Sequence, residues 1–278
     1  MTSLRLSDYR ALYLFSQADH PIPWAPGVFA SLPHHRARAH FAGGFYALPG
    51  YFEDPAGSSA LIEGISTEPD LLWSFVGSIS TYPSVRAQLL RLRDDRGLAV
   101  NSATWGEVRW KAAGQGALDR RDAIKSYVAS LARSKFVLAP RGVGASSVRL
   151  FEAMQAGRVP VIISDDWLPP ALVDWGNCSI RVPESDISSI PMILREREAD
   201  ARCLGDRARY EWESNFSPRT MAHHLVRSCL QLHAESPRLG RRLRLSGATL
   251  PTRPTVHRLR EVADSEWSRY RDNSRKVS

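Results

Sequence analysis

Between Leu71 and Pro183, short apolar runs alternate with segments in which apolar residues recur every three or four positions. Each run predicts a buried strand, and each periodic segment predicts a helix with one apolar face. The predicted strands are 71–78, 97–104, 135–140, 159–164 and 178–183, and the predicted helices are 82–95, 119–134 and 146–157. This alternation is typical of a parallel sheet with helices on both faces, so the sequence predicts an α/β fold.

The segments on either side of this region are less regular. Two short strands are predicted at 11–17 and 27–33, whereas 34–58 is rich in Gly, Pro and aromatic residues and is predicted to be irregular. Helical periodicity continues from Ile187 to Glu235. The predicted parts are a reduced N-terminal part (1–65), a Rossmann-type domain (66–235) and a basic C-terminal tail (236–278).

The positive charge of the chain is concentrated in the tail. The 278 residues carry a formal net charge of +8, but residues 236–278 hold 11 Lys and Arg against 4 Asp and Glu, a net of +7. The other 26 basic and 25 acidic residues give residues 1–235 a net charge of +1. These residues contain no recognisable nucleic-acid-binding motif. We therefore expect no nucleic-acid partner. The tail is expected to contact a membrane surface or an acidic partner, or to fold back across the body.

Metal sites, disulfides and membrane spans are not expected. Cys178, Cys203 and Cys229 are scattered and odd in number, which favours reduced thiols. The histidine pairs at 34–35 and 223–224 lack nearby cysteines and helical partners, which argues against zinc. No run approaches the roughly 18 apolar residues of a membrane span, and the N-terminus lacks the apolar centre of a signal peptide. A soluble, cytoplasmic protein is expected.

The turn that follows the predicted strand 135–140 carries candidate binding chemistry. Gly142 and Gly144 allow the backbone to turn tightly and to approach a ligand, and Ser146 or Ser147 is suited to cap the next helix. The free N–H groups at the helix start would then face the carboxyl edge of the sheet. Ligands bind at this edge in open parallel sheets, and a helix N-terminus favours phosphate.

Charged residues flank this turn. Arg141 precedes it and Arg149 lies in the first helical turn, where the helix dipole disfavours a cation unless an anion compensates. Glu152 shares a face with Arg149, so the two could form a surface pair. Alternatively, the arginines hold phosphate while Glu152 accepts hydrogen bonds from sugar or ribose hydroxyls. The combination favours a nucleotide or nucleotide-sugar pocket, although full dinucleotide and P-loop motifs are absent.

The ordered pattern FVLAPRG…SSVRLFEAMQAGRVPVIISDDWLPP, with FVGSIS and VR upstream, resembles the C-terminal half of exostosin-type glycosyltransferases over roughly 71–235. The resemblance implies a GT-B fold of two Rossmann-type units and an inverting sugar transfer. Family members carry a larger N-terminal domain, and the animal members are membrane-anchored, so this chain is expected to be a soluble, bacterial relative. The implied donor-site residues are Arg86, Arg141, Gly142, Ser146, Ser147, Arg149 and Glu152.

An inverting transfer needs a base for the acceptor hydroxyl and positive charge near the leaving diphosphate. Arg86, Arg141 and Arg149 would supply that charge without a metal. Asp19 follows the first predicted strand at its carboxyl end and is the predicted catalytic base, unless it only begins a loop.

Four other residues near the same edge have open roles. Asp165 and Asp166 could bind a metal, contact the donor sugar or cap a turn, and capping is favoured. Trp167 and Trp175 could stack on a sugar or pack against the helices.

The predicted function is transfer of a sugar to a glycan or other hydroxyl acceptor. No cofactor is expected, and the donor is expected to be a UDP-linked sugar, although no residue distinguishes uracil from guanine. The alternative is a non-catalytic nucleotide- or glycan-binding module descended from such an enzyme.

Overall fold

The computed structural model describes residues 11–22, 25–47, 57–61, 68–102 and 115–235. Within these ranges the chain forms a three-stranded sheet and a five-stranded sheet. The predicted tail at 236–278 lies outside the described residues.

The N-terminal part forms the smaller sheet. Its strands are β1 (Leu14–Ser16), β2 (Gly27–Phe29) and β3 (Phe41–Gly43), which pair in parallel in the order β1-β2-β3. The prediction that this region is irregular is wrong for β3. The residues of β3 lie in a segment rich in Gly, Pro and aromatic residues, which shows no regular period from which a strand could be predicted.

The larger sheet is formed by residues that follow the smaller sheet along the chain. Its strands are β4 (Leu71–Gly77), β5 (Gly97–Asn101), β6 (Ser134–Pro140), β7 (Val159–Ile163) and β8 (Ile180–Arg181). The helices are α1 (Pro83–Arg91), α2 (Gln115–Ala132), α3 (Val148–Gln155), α4 (Ile190–Glu196), α5 (Ala201–Asn215) and α6 (Met221–Glu235). All pairs are parallel, in the order β5-β4-β6-β7-β8. The predicted α/β class is confirmed by the five-stranded parallel sheet and the smaller parallel sheet of the N-terminal part.

The direction of the strand order reverses between β4 and β6. The next strand along the chain, β5, lies on one side of β4, whereas β6, β7 and β8 follow on the other. In doubly wound sheets, such a reversal opens a crevice beyond the carboxyl ends of the strands, where ligands bind. The residues that follow Gly77 and Pro140 therefore flank the expected crevice.

Strand side chains alternate between two apolar layers. Phe136 and Leu138 of β6 pack in the layer that includes α1 and α4. Val137 packs with the apolar face of α2, and Ala139 packs with α3. Both faces of the central strand are therefore buried, as expected for a sheet covered by helices on both sides.

The N-terminal part shares a core with the larger domain. The ring of Phe45, which is fully buried, lies with its centroid 4.9 Å from that of Phe216 and 6.5 Å from that of Phe151. Leu168 N also donates to Leu32 O at 2.8 Å. The smaller sheet is therefore attached by apolar packing and by backbone pairing.

His224 lies buried in this shared core and makes the fold sensitive to acid. Burial, with a smaller contribution from Arg227, lowers the pKa of His224 from 6.5 to about 4. Below pH 6.5 the imidazole of His224 binds a proton in the unfolded chain but stays neutral in the folded chain. The free energy of unfolding therefore decreases as the pH falls from 6.5 to about 4. The expected loss in the free energy of unfolding is about 2–3 kcal/mol.

Urea denaturation at about pH 7 and about pH 4.5 measures this effect. His224→Phe should remove the contribution, whereas His223→Ala, at an exposed position on the same helix, should leave it unchanged. An equal pH dependence in wild type and His224→Phe would contradict the assignment.

Candidate functional site

The predicted glycine-rich turn connects β6 to α3. Ser147 occupies the N-cap position of α3, as one of the two predicted alternatives, but its hydroxyl makes no capping hydrogen bond. Instead, Ser146 Oγ, Ser147 Oγ and Arg141 Nε are buried polar atoms without a hydrogen-bond partner in the part of the chain that is described. Leaving such a group unpaired costs about 1–3 kcal/mol. Three of them within one turn indicate a place where bound acceptor atoms would complete the hydrogen bonding.

The guanidinium of Arg141 lies beside this turn. Its Cζ is 4.5 Å from the ring centroid of Tyr82, and its Nη1 is 3.9 Å from Glu184 Oε1. The side chain is 18% exposed, so part of the cation remains accessible from the carboxyl edge of the sheet.

The other two predicted arginines are anchored on backbone carbonyls at the crevice. Arg86 is buried and donates to Ser78 O and Arg141 O, both at 3.0 Å, which ties the ends of β4 and β6 together. Arg149 Nε donates to Val76 O at 2.5 Å. The structure thus brings all three arginines together, and a carbonyl-bound role for Arg86 was not visible from the sequence.

Glu152 is buried one helical turn after Arg149. Its side chain is 3% exposed, so it is not half of a surface ion pair. Tyr127 of α2 donates a hydrogen bond to Glu152 Oε2. Tyr127 was not predicted as a site residue, because it lies on the apolar face of its helix, where a core residue is expected.

The N-terminal part covers the turn from the other side. Ser31 Oγ accepts a hydrogen bond from Ser146 N at 3.1 Å. A Cβ on Gly144 would lie 2.1 Å from Ser31 Oγ and 2.7 Å from Asp19 O, so only glycine allows this approach. Tyr46 packs edge-on against Phe151, with ring centroids 6.2 Å apart.

Asp19, the predicted base, lies beside the same turn. Its backbone oxygen lies 2.7 Å from the position that a Cβ on Gly144 would take. Partial desolvation raises the pKa of Asp19, while His20 and the Gly144 backbone act in the opposite direction. Burial, and then the Asp19 charge, raises the pKa of Tyr46. Asp19 is therefore close enough to Tyr46 to influence its ionisation.

Asp165 and Asp166 accept backbone hydrogen bonds from residues in two short 3-10 helices. Asp165 Oδ1 accepts from Glu184 N at 3.1 Å, and Asp166 Oδ1 accepts from His35 N at 3.2 Å. The two carboxylates therefore hold distant segments, Glu184–Ser189 and His34–Arg36, and not the adjacent turn for which capping was predicted.

Trp167 and Trp175 pack against each other. Their ring centroids are 5.2 Å apart, Trp167 is 1% exposed, and Trp175 Nε1 donates to Pro170 O at 2.9 Å. The packing alternative is therefore confirmed for both rings. In the described ranges, no helix has the length and apolar character needed to cross a membrane.

The fold and the turn together define a class of protein: an α/β protein whose parallel sheet presents a turn with buried, unpaired polar atoms at its carboxyl edge. The chain belongs to the exostosin family of glycosyltransferases, because the family model described as Exostosin GT47 domain matches residues 30–197, more than half of the sequence. The resemblance noted from the sequence is confirmed.

Individual relatives match only short segments. The chain is 44% identical over 70 residues to an Exostosin-1 homolog of Caenorhabditis elegans, covering 24% of this chain and 18% of that protein. It is 40% identical over 77 residues to a probable glucuronosyltransferase of Oryza sativa subsp. japonica, covering 27% and 18%. The chain thus spans less than a fifth of the length of these relatives. A glycosyltransferase structure from Rickettsia africae ESF-5 has a TM-score of 0.40 and 9% identity, covering 75% of this chain and 63% of that one.

Proposed function

We propose that this protein transfers a sugar from a nucleotide-sugar donor to a hydroxyl group of a glycan or similar acceptor, with inversion and without a metal. The observation that carries the proposal is the set of unpaired buried atoms, Ser146 Oγ, Ser147 Oγ and Arg141 Nε, at the start of α3. Diphosphate oxygens are strong acceptors and match this set of donors. Family membership supports the reaction class, and the name of the rice relative makes UDP-glucuronic acid a donor to test.

The arginines would stabilise the leaving diphosphate. As the bond to the sugar breaks, negative charge grows on the diphosphate, and fixed positive groups that are already in place lower the barrier. Arg141 is proposed to contact the diphosphate directly. Arg86 and Arg149, held on backbone carbonyls, add positive potential at the crevice. This concentration of cations is the reason for proposing a metal-independent reaction.

Glu152 is proposed to recognise donor hydroxyls together with Tyr127. Tyr127 already donates to one carboxylate oxygen, which fixes the orientation of the group inside the protein. Because the serine hydroxyls and Glu152 are buried, donor entry requires the segment around Ser31 and Asp19 to move away from the turn.

Ser147→Ala gives the sharpest test of the diphosphate position. The variant should bind UDP about tenfold more weakly, since it loses a hydrogen bond to a charged group. Without ligand it should be at least as stable as wild type, because an unpaired buried hydroxyl has been removed. Isothermal titration with UDP, in EDTA and in Mg²⁺, measures both affinity and metal dependence.

Ser134→Ala is the matched control. This serine is also buried, but its hydroxyl donates to Ser130 O at 2.6 Å at the opposite end of β6. It should lose stability and keep its affinity for UDP. Wild-type affinity in Ser147→Ala would contradict the diphosphate position. Binding of UDP-sugars without transfer to any acceptor would favour the non-catalytic module.

A further inference from the structure

An imidazole and a carboxylate meet where the N-terminal part joins the larger sheet. His35 belongs to the short helix His34–Arg36, and Asp166 lies three residues after the end of β7. Asp166 Oδ1 accepts from His35 N at 3.2 Å, and Asp166 Oδ2 lies 2.5 Å from His35 Nδ1. One carboxylate therefore fixes both the backbone and the ring of His35.

This contact determines which nitrogen of His35 is free. A carboxylate only accepts hydrogen bonds, so Nδ1 carries the proton in this pair and Nε2 is the lone-pair nitrogen of the neutral ring. The His35 side chain is 64% exposed, and among the described residues none hydrogen-bonds to Nε2. A hydroxyl group arriving from solvent can therefore reach it. A carboxylate that orients an imidazole towards a hydroxyl is the arrangement that general bases use.

The pair lies on the same edge of the sheet as the glycine-rich turn. Asp165, the residue before Asp166, exchanges two hydrogen bonds with Glu184. Glu184 Oε1 in turn lies 3.9 Å from Arg141 Nη1. A continuous series of contacts therefore links the cation proposed to hold the diphosphate with the His35–Asp166 pair.

Asp19, the base predicted from the sequence, occupies a different place. Its backbone oxygen lies 2.7 Å from the position that a Cβ on Gly144 would take, so Asp19 lies on the turn proposed to hold the leaving diphosphate. In an inverting displacement, the attacking and leaving groups occupy opposite faces of the sugar ring. A base is therefore expected away from the turn, and the role of Asp19 stays a prediction.

We propose that His35 is the general base of the transfer and that Asp166 is its positioning residue, an inference that rests on the proposed function. Nε2 takes the proton of the acceptor hydroxyl, and the electron pair of that oxygen forms the bond to the anomeric carbon. The bond from this carbon to the diphosphate oxygen breaks, and its electron pair leaves with the nucleoside diphosphate. The imidazolium of His35 then gives its proton to solvent.

Footprinting with diethyl pyrocarbonate tests the location of His35 without an acceptor. The full chain is modified with and without saturating UDP-glucuronic acid, UDP-glucose or UDP, and the modification rate of each histidine is read by mass spectrometry. A bound UDP-sugar should slow modification of His35 several-fold and more than UDP does, because the sugar extends beyond the diphosphate. The exposed His223 is the internal control and should be unaffected. Equal His35 rates with a UDP-sugar bound would overturn the proposal.

Kinetics test the chemical role. His35→Ala should lower the rate of UDP release from the bound UDP-sugar by a factor on the order of 10²–10⁴ without changing the dissociation constant for UDP. Added imidazole should restore part of this rate, which a structural role would not allow. Asp166→Asn should lower kcat with an unchanged KM for the donor. Retention of the full rate in His35→Ala would overturn the proposal.

Two outcomes separate this proposal from the proposed function. If UDP fails to bind wild type, the proposed function fails and the base assignment fails with it. If UDP binds, and Asp19→Asn rather than His35→Ala loses turnover, the donor site stands and Asp19 is the base.

Discussion

Replacement of Arg141 by alanine is expected to raise the dissociation constant for UDP about 100-fold. The side chain is largely buried beside the turn, and its Nε has no hydrogen-bond partner among the described residues. Each hydrogen bond to a charged group is worth about 1.5–3 kcal/mol, and 1.4 kcal/mol is a tenfold change in affinity. Two such bonds to the diphosphate would account for the expected loss. Isothermal titration of UDP measures it directly.

Two variants control this experiment. Arg141→Lys keeps the charge but cannot reproduce the planar fork of the guanidinium, so an intermediate affinity is expected. Arg202→Ala removes an exposed arginine from α5 and should bind UDP as wild type does. Wild-type affinity in Arg141→Ala, in a chain that circular dichroism shows to be folded, would remove Arg141 from the donor site.

Phe45→Ala is expected to reduce the free energy of unfolding by about 3–5 kcal/mol, the cost of emptying a well-packed aromatic site. Phe45 follows the smaller sheet but packs against rings from the larger domain, with centroids 4.9 Å from Phe216 and 5.3 Å from the His224 ring. The loss should appear in a single cooperative transition, because both parts share this core. Urea denaturation followed by fluorescence and by circular dichroism measures it.

Phe45→Leu is the conservative comparison and should cost clearly less, because it keeps an apolar side chain in the site. Two separate transitions in wild type, with only the first affected by Phe45→Ala, would show instead that the N-terminal part folds as an independent unit.

The larger sheet could be predicted because the pattern of apolar residues within each short segment indicates its strands and helices. Its central strands are buried on both faces and therefore read as continuous apolar runs, and the helices between them keep a helical period. Gly157 could likewise be predicted to follow the helix end, and the structure gives it a φ of 66° in the left-handed region. The strand β3 offered no such signal, since its pairing with β2 depends on the rest of the fold.

The candidate site could be predicted only where its residues are neighbours in sequence. Arg141, Arg149 and Glu152 flank one turn, so their grouping was visible. Ser31 reaches Ser146 across 115 sequence positions, and His35 reaches Asp166 across 131. Contacts of this kind are set by tertiary packing, and no periodicity or spacing encodes them.

Chemical roles were harder to predict than positions. An arginine has five N–H donors, and the sequence does not show whether backbone carbonyls or a ligand will accept from them. In the structure, Arg86 is anchored on carbonyl oxygens, whereas Arg141 keeps a buried Nε without a partner among the described residues. The two arginines therefore differ in how directly they can contact a diphosphate.

Thermal unfolding of the full chain in EDTA, titrated with UDP, GDP and a panel of UDP-sugars, tests whether the protein binds a nucleotide-sugar donor. A ligand present at 100 times its dissociation constant stabilises the folded state by about 2.7 kcal/mol, which gives a readable rise in Tm. Such a rise is expected with UDP and UDP-sugars, and a smaller rise is expected in Arg141→Ala at the same ligand concentration. An unchanged Tm with every nucleotide, in the presence or absence of Mg²⁺, would contradict a nucleotide-sugar site at the glycine-rich turn.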